Sequence, residues 1–115
     1  MNNSTLEISR ESLKRVELVK VSGRVDSSNA GELDSALKTT MGDGHYNLVL
    51  DLSEVNYMSS AGLRSLIATL RECKKHRGDV RIANPSERVA EVLSLAGVDS
   101  LFQVYPDTTA AVGSF

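Results

Sequence analysis

Leu48-Val49-Leu50-Asp51-Leu52-Ser53-Glu54-Val55-Asn56-Tyr57-Met58-Ser59-Ser60-Ala61-Gly62-Leu63 passes from one periodicity to another. Leu48 to Leu52 is a short apolar run of the kind buried in a parallel sheet. Ser53 to Met58 reads as a loop. Beyond it, Leu63, Leu66, Ile67 and Leu70 follow the i, i+3, i+4, i+7 spacing of an amphipathic helix. A buried strand that hands over to a helix is half of a crossover unit, so the expected class is α/β.

The flanking sequence supports this. On the N-terminal side, Leu6 and Ile8 alternate with polar neighbours, and Arg10-Glu11-Ser12 reads as a hairpin turn. Val16, Leu18, Val19 and Val21 make a second strand rich in β-branched residues. Its alternation slips between Leu18 and Val19, which predicts either a bulge there or a strand covered on both faces. Gly23 to Ser28 breaks the pattern with cap-forming residues, and Ala30, Leu33, Leu37 and Met41 then recur at helical spacing until Gly42 and Gly44. On the C-terminal side, the helix begun at Leu63 ends in Lys74, Lys75 and Arg77 before Gly78, suiting the negative end of its dipole. Val80 and Ile82 mark a strand. Asn84-Pro85-Ser86-Glu87 reads as a helix start, with Asn84 as cap, Pro85 in the first position and Glu87 in the capping-box position. Val89, Val92, Leu93 and Ala96 give that helix an inner face, followed by a short strand from Leu101 to Val104 and a tail helix from Asp107. The sum is a mixed, mostly parallel sheet with an N-terminal antiparallel hairpin and about four helices, in one domain over 1–115.

Composition narrows the function classes. A compact chain of 115 residues has one core and a radius of gyration of roughly 13 Å. Cys73 is the only cysteine, which excludes an internal disulfide and suits a reduced, cytoplasmic setting. No apolar run approaches the ~18 residues of a membrane span. Met1-Asn2-Asn3-Ser4 lacks the charged-then-apolar pattern of a signal peptide. A net charge of −2 argues against direct nucleic-acid binding, which needs a basic footprint.

Catalytic patterns are missing. The two histidines, His45 and His76, lie away from any nucleophile-elbow sequence, and His45 reads as a solvated loop residue. Cys73 falls on the apolar stripe of its helix and reads as a small buried hydrophobe. With His76 it makes only two of the ligands a structural zinc needs, so no metal site is expected. There is no phosphate-cradling glycine loop for a nucleotide cofactor, and Lys74-Lys75-His76-Arg77 reads as a solvated helix end. Asp51 invites comparison with the phospho-accepting aspartate of a receiver domain. Such a domain also needs an acidic pair after its first strand and a lysine after its last, where this chain has only Asp26 and Tyr105-Pro106. No cofactor and no enzyme activity are expected.

That leaves Ser59 and Ser60. A serine oxygen at a helix start caps free N–H groups, worth about 1 kcal/mol. Ala61 and Gly62 leave the first turn bare, so that another protein's backbone could approach. Here the sequence resembles a family. Tyr57-Met58-Ser59-Ser60-Ala61-Gly62-Leu63, after a strand ending in Asp51-Leu52, is similar to the signature of STAS domains, specifically the stand-alone anti-sigma factor antagonists of bacteria. Gly23-Arg24-Val25-Asp26 matches a second family feature, and the order of elements matches throughout.

The resemblance implies a switch: an unphosphorylated antagonist binds an anti-sigma factor that is also a serine kinase, and so frees a sigma factor. The kinase phosphorylates the serine at Ser60, and a metal-dependent serine phosphatase reverses this. Asp26, Ser59, Ser60, Ala61, Gly62 and Leu63 would form the partner-binding site. The family usually has Asp where this chain has Ser59, which leaves Ser59 as a second candidate hydroxyl. A phosphate adds about −1.5 to −2 charges, which the positive helix N-terminus tolerates but a partner surface packed over it does not. The alternative implied by the absent Asp is a non-phosphorylated STAS binding module, such as a small subunit of a lipid-transport ABC system.

Overall fold

The computed structural model describes residues 6–115; the segment Met1 to Ser4, read above for a signal peptide, lies outside the described residues. Strand β1 (Glu7–Leu13) pairs antiparallel with β2 (Val16–Val25), while β3 (Asn47–Met58), β4 (Asp79–Ala83) and β5 (Gln103–Tyr105) continue the sheet in parallel, in the order β1-β2-β3-β4-β5. Helices α1 (Ala30–Gly42), α2 (Ser60–Lys75) and α3 (Glu87–Leu95) make the crossovers, with a 3₁₀ turn at Asp99–Leu101 before β5 and a short α4 (Thr108–Gly113) at the end. The Cα radius of gyration is 12.9 Å.

The core has two parts. Leu33 and Leu37 of α1, Leu66 and Cys73 of α2 and Val89 and Leu93 of α3 pack on Val19, Val21, Leu48, Leu50 and Ile82 of the sheet. On the other face Ala111 of α4 covers Val16, Val49 and Ala83. Leu48, Val49 and Leu50 are thus all buried because both faces of β3 are covered, which is why the run is continuously apolar. The slip at Leu18–Val19 has the same origin: Leu18 packs against the α4 side and Val19 against the other, with no bulge between them.

Three local expectations are corrected. The hairpin turns at Lys14-Arg15, where Lys14 has φ +22°, because Leu13 pairs with Val16. Arg10-Glu11-Ser12 is strand: Arg10 Nε donates to Glu17 at 2.8 Å and Ser12 Oγ donates to it at 2.7 Å, so the polar run stitches β1 to a buried carboxylate. Helix α3 is capped by Ser86, whose Oγ accepts from Val89 N–H at 3.2 Å, whereas Asn84 sits at φ +47° and donates its N–H to Tyr105. Finally, β5 spans Gln103–Tyr105, since Asp99–Leu101 winds into the 3₁₀ turn.

Candidate functional site

Ser53 to Met58, expected as a loop, is the second half of β3. Lys20 pairs with Asp51 and Ser22 with Glu54, so β2 advances two residues while β3 advances three; Gly23 pairs with Val55 and Arg24 with Tyr57, so β2 advances one and β3 two. Twice, then, β3 accommodates an extra residue as a bulge. This destroys the period of two after Leu52 and hides the strand from a pattern reading. It also turns Leu52, Val55 and Met58, spaced by three, all into the core. Asp51 is consequently mid-strand, its Oδ1 accepting from Ser53 N–H at 3.0 Å, and not at a strand end as a receiver aspartate would be.

The bulged segment has no β4 partner beyond Asp51. Ser86 supplies the missing bonds: its N–H donates to Leu52 C=O at 3.2 Å and its Oγ donates to Val55 C=O at 2.5 Å. Ser86 thus starts α3 and fixes the strand that carries the site. A cap-forming residue after Asn-Pro was its only trace in the sequence.

β2 and β3 end side by side, Val25 opposite Met58, and Ser59 N–H donates to Val25 C=O at 2.8 Å. The chain after Val25 becomes the Asp26 loop and the chain after Ser59 becomes α2, so the two motifs meet at the carboxyl end of these two central strands. Ser59 is the N-cap, its Oγ accepting from Gly62 N–H at 3.2 Å. Ser60 is the first helical residue and is exposed; its hydroxyl makes no side-chain hydrogen bond among the described residues. The two hydroxyls thus differ: that of Ser59 caps the helix, and that of Ser60 is left exposed.

Asp26 is held by its own loop. Its Oδ1 accepts from the Oγ of Ser28 at 2.6 Å and from Ser28 N–H at 2.9 Å, and its Oδ2 lies 3.3 Å from Nε of Arg24. The Ser28 hydroxyl, aided by backbone N–H groups and Arg24 against partial desolvation, holds the carboxyl below the usual aspartate range. Asn29, buried, locks the loop by accepting from Asp26 N–H and donating to Arg24 C=O. Arg24 also lies over the Tyr57 ring, 4.1 Å from its centroid.

The remaining predicted residues divide. Ala61 is half-buried and, with Ala30, Gly31, Arg64, Ser65 and Ala68, lines a groove of about 380 Å³ between α1 and α2. That groove is bridged by Ser65 Oγ donating to Asp34 at 2.8 Å. Gly62 and Leu63 are buried. A Cβ on Gly62 would come within 2.6 Å of both Met58 Sδ and Val25 Cγ1, so its missing side chain serves contact between α2 and its own sheet, not the approach of another backbone. Leu63 belongs to the core.

Among the described residues no base makes a hydrogen bond to the Ser60 hydroxyl, as its activation as a nucleophile would need. His45 lies in the loop at the opposite end of β3, half-buried, with Nδ1 3.6 Å from the buried Glu17. His76 stacks on Tyr46, ring centroids 3.9 Å apart, so the basic helix end is partly packed. Cys73 is fully buried, and burial, with Asp79 and Glu72 nearby, pushes its thiol up to about 12. Among the described residues no three His, Cys, Asp or Glu side chains gather to hold a metal ion, and no helix is long and apolar enough to cross a membrane.

Comparison with known proteins agrees with this geometry. BtrV of Bordetella bronchiseptica, named as a proposed anti-sigma factor antagonist, is 27% identical over 110 residues, covering 96% of this chain and 95% of BtrV. The anti-sigma-B factor antagonist of Staphylococcus aureus is 29% identical over 90 residues, 78% of this chain and 83% of that one. The crystal structure of an anti-sigma factor antagonist from Mycobacterium paratuberculosis superposes with a TM-score of 0.86 at 29% identity, covering 95% of this chain and 92% of the other. The STAS domain model matches residues 7–111, and with the doubled strand end, the serine-capped α2 and the Asp26 loop in place, the chain belongs to the STAS domain family.

Proposed function

We propose that this protein is an anti-sigma factor antagonist, a binding protein without catalysis of its own that works by exchange of partners in the cytoplasm. Unphosphorylated, it binds an anti-sigma serine kinase through the Asp26 loop and the first turns of α2, which releases a sigma factor. Phosphorylation of Ser60 ends the complex, and a metal-dependent serine phosphatase restores it.

One observation carries this reading: of two adjacent hydroxyls, Ser59 is committed as the cap while Ser60 is exposed and makes no side-chain hydrogen bond among the described residues. A phosphate on Ser60 leaves the cap intact and sits where the helix dipole favours negative charge. The same charge desolvated against a partner costs on the order of 2–5 kcal/mol, a loss of affinity of roughly 30-fold to several thousand-fold. The names of the relatives from Bordetella, Staphylococcus and Mycobacterium support the antagonist role.

The test is incubation with the cognate kinase and ATP followed by phosphosite mapping, with a parallel pull-down of wild type and Ser60→Asp. Modification at Ser60 and loss of the kinase with Ser60→Asp are expected. Modification at neither serine, with Ser60→Asp binding as wild type, would replace this reading by that of a non-phosphorylated module such as a transport-system subunit, for which Ser59 in place of Asp is the favouring feature.

A further inference from the structure

Ser60 and Arg64 are four residues apart on α2, the spacing at which helical side chains are neighbours. Helical side chains lean toward the N-terminus, so an arginine at the later position arches back over the turn that the earlier residue opens. Arg64 is exposed, and its side chain makes no hydrogen bond or ion pair among the described residues. The other cations of this region are engaged: Arg24 with Asp26 and Tyr57, Lys38 with Asp34 at 2.9 Å, Lys20 with Glu54 at 3.7 Å. The carboxylates Asp26 and Asp34 therefore already have their own cations. The first turn of α2 contains no acidic residue, and its cap is the neutral Ser59.

On this basis, and resting on the reading of Ser60 as the phosphorylated residue, we propose that Arg64 is the intramolecular counter-ion of the Ser60 phosphate. A guanidinium presents a planar fork that matches phosphate oxygens two at a time, and charge-assisted pairs of this kind are about twice as strong as neutral hydrogen bonds. In the unmodified protein Arg64 lies along the α1–α2 groove beside Ala61, where a partner would meet it. In the phosphorylated protein it turns to the phosphate. Modification then does two things to the binding face, adding an anion and withdrawing a cation from the partner.

The experiment places phosphoserine at position 60 during translation, without any kinase, and follows the ³¹P resonance against pH. Wild type, Arg64→Gln, Arg64→Lys and Arg71→Gln are compared, with circular dichroism confirming that each is folded. The second pKa of the phosphate is expected to be roughly half a pH unit lower in wild type than in Arg64→Gln, with the gap shrinking in high salt. Arg64→Lys should fall between them, and Arg71→Gln, two turns further on, should match wild type. Equal values for wild type and Arg64→Gln would overturn the proposal, as would an equal shift from Arg71→Gln. A wrong assignment of the kinase's target appears instead in the phosphosite map, so the two failures are separable.

Discussion

Ser59 joins the two halves of the site: its N–H is donated to Val25 C=O at 2.8 Å, and its hydroxyl accepts from Gly62 N–H one turn into α2. The residue beside the candidate phosphorylation site is therefore a structural fastening. Ser59→Ala should cost about 1 kcal/mol, a fall in Tm of roughly 4–8 °C, while Ser59→Asp retains the cap. Ser60→Ala should stay within about 0.5 kcal/mol of wild type. Thermal melts of the three variants decide it; a larger loss from Ser60→Ala than from Ser59→Ala would mean that the cap is misassigned.

Gly62→Ala would press a methyl onto Val25 and Met58, both buried. A loss of about 1–3 kcal/mol is expected. Because the clash is with Val25 itself, combining Gly62→Ala with Val25→Ala should recover at least about 0.5 kcal/mol relative to the sum of the single losses. Urea midpoints of the two single variants and the double variant measure this, and strict additivity would place the strain elsewhere.

Gly78 is the stricter glycine. A Cβ there would lie 1.8 Å from the Tyr46 carbonyl oxygen, which also accepts from Asp79 N–H where β3 and β4 begin. A backbone group bound into the sheet cannot step aside as a methionine side chain can. Gly78→Ala should cost more than Gly62→Ala, on the order of 3 kcal/mol or more, read as a lower urea midpoint or as loss of soluble protein.

Glu17 gives the fold an acid sensitivity. It is 2% exposed, and burial alone would raise its pKa, but hydrogen bonds from Ser12 and Arg10, with the charges of His45 and Arg10, outweigh this and hold it below the usual glutamate range. A carboxyl depressed in the folded state stabilises fully above its unfolded pKa of about 4.3 and loses that contribution as pH falls through the lower folded value. Glu17→Gln should therefore cost about 1–3 kcal/mol at neutral pH, with wild type and variant converging below about pH 4. Denaturation midpoints at pH 7, 5 and 3.5 test this; a gap that persists undiminished at the lowest pH would rule out the ionised carboxylate as its source.

What could be read from the sequence was whatever depended on local periodicity. Leu33 and Leu37, or Leu66 and Leu70, mark buried helix faces because one helix decides its own spacing. The strand end from Ser53 to Met58 escaped because its spacing is decided by β2, which takes fewer residues over the same distance. Arg10 to Ser12 looked like a turn because their partner, Glu17, is a buried charge that no apolar pattern reveals. Within the site, the meeting of Asp26 with the two serines followed from the family resemblance. Which of Ser59 and Ser60 caps α2 depends on where β3 ends, fixed by Ser59 N–H on Val25 C=O, and the inward role of Gly62 depends on contact with Val25 and Met58; the sequence expresses neither.

The two extra residues in β3 act as a ruler. Each reverses which side of the sheet the next side chain meets, so Val55 and Met58 both land inward, and Ser59 arrives facing Val25. Removing one residue between Leu52 and Met58 would turn Met58 outward, and the whole of α2 would start about 100° out of phase, with Ser60 rolled off the exposed face. Between Leu52 and Met58, therefore, the number of residues is a stricter requirement than their identity, and an insertion or deletion there would displace the candidate site while leaving each of its side chains in the protein.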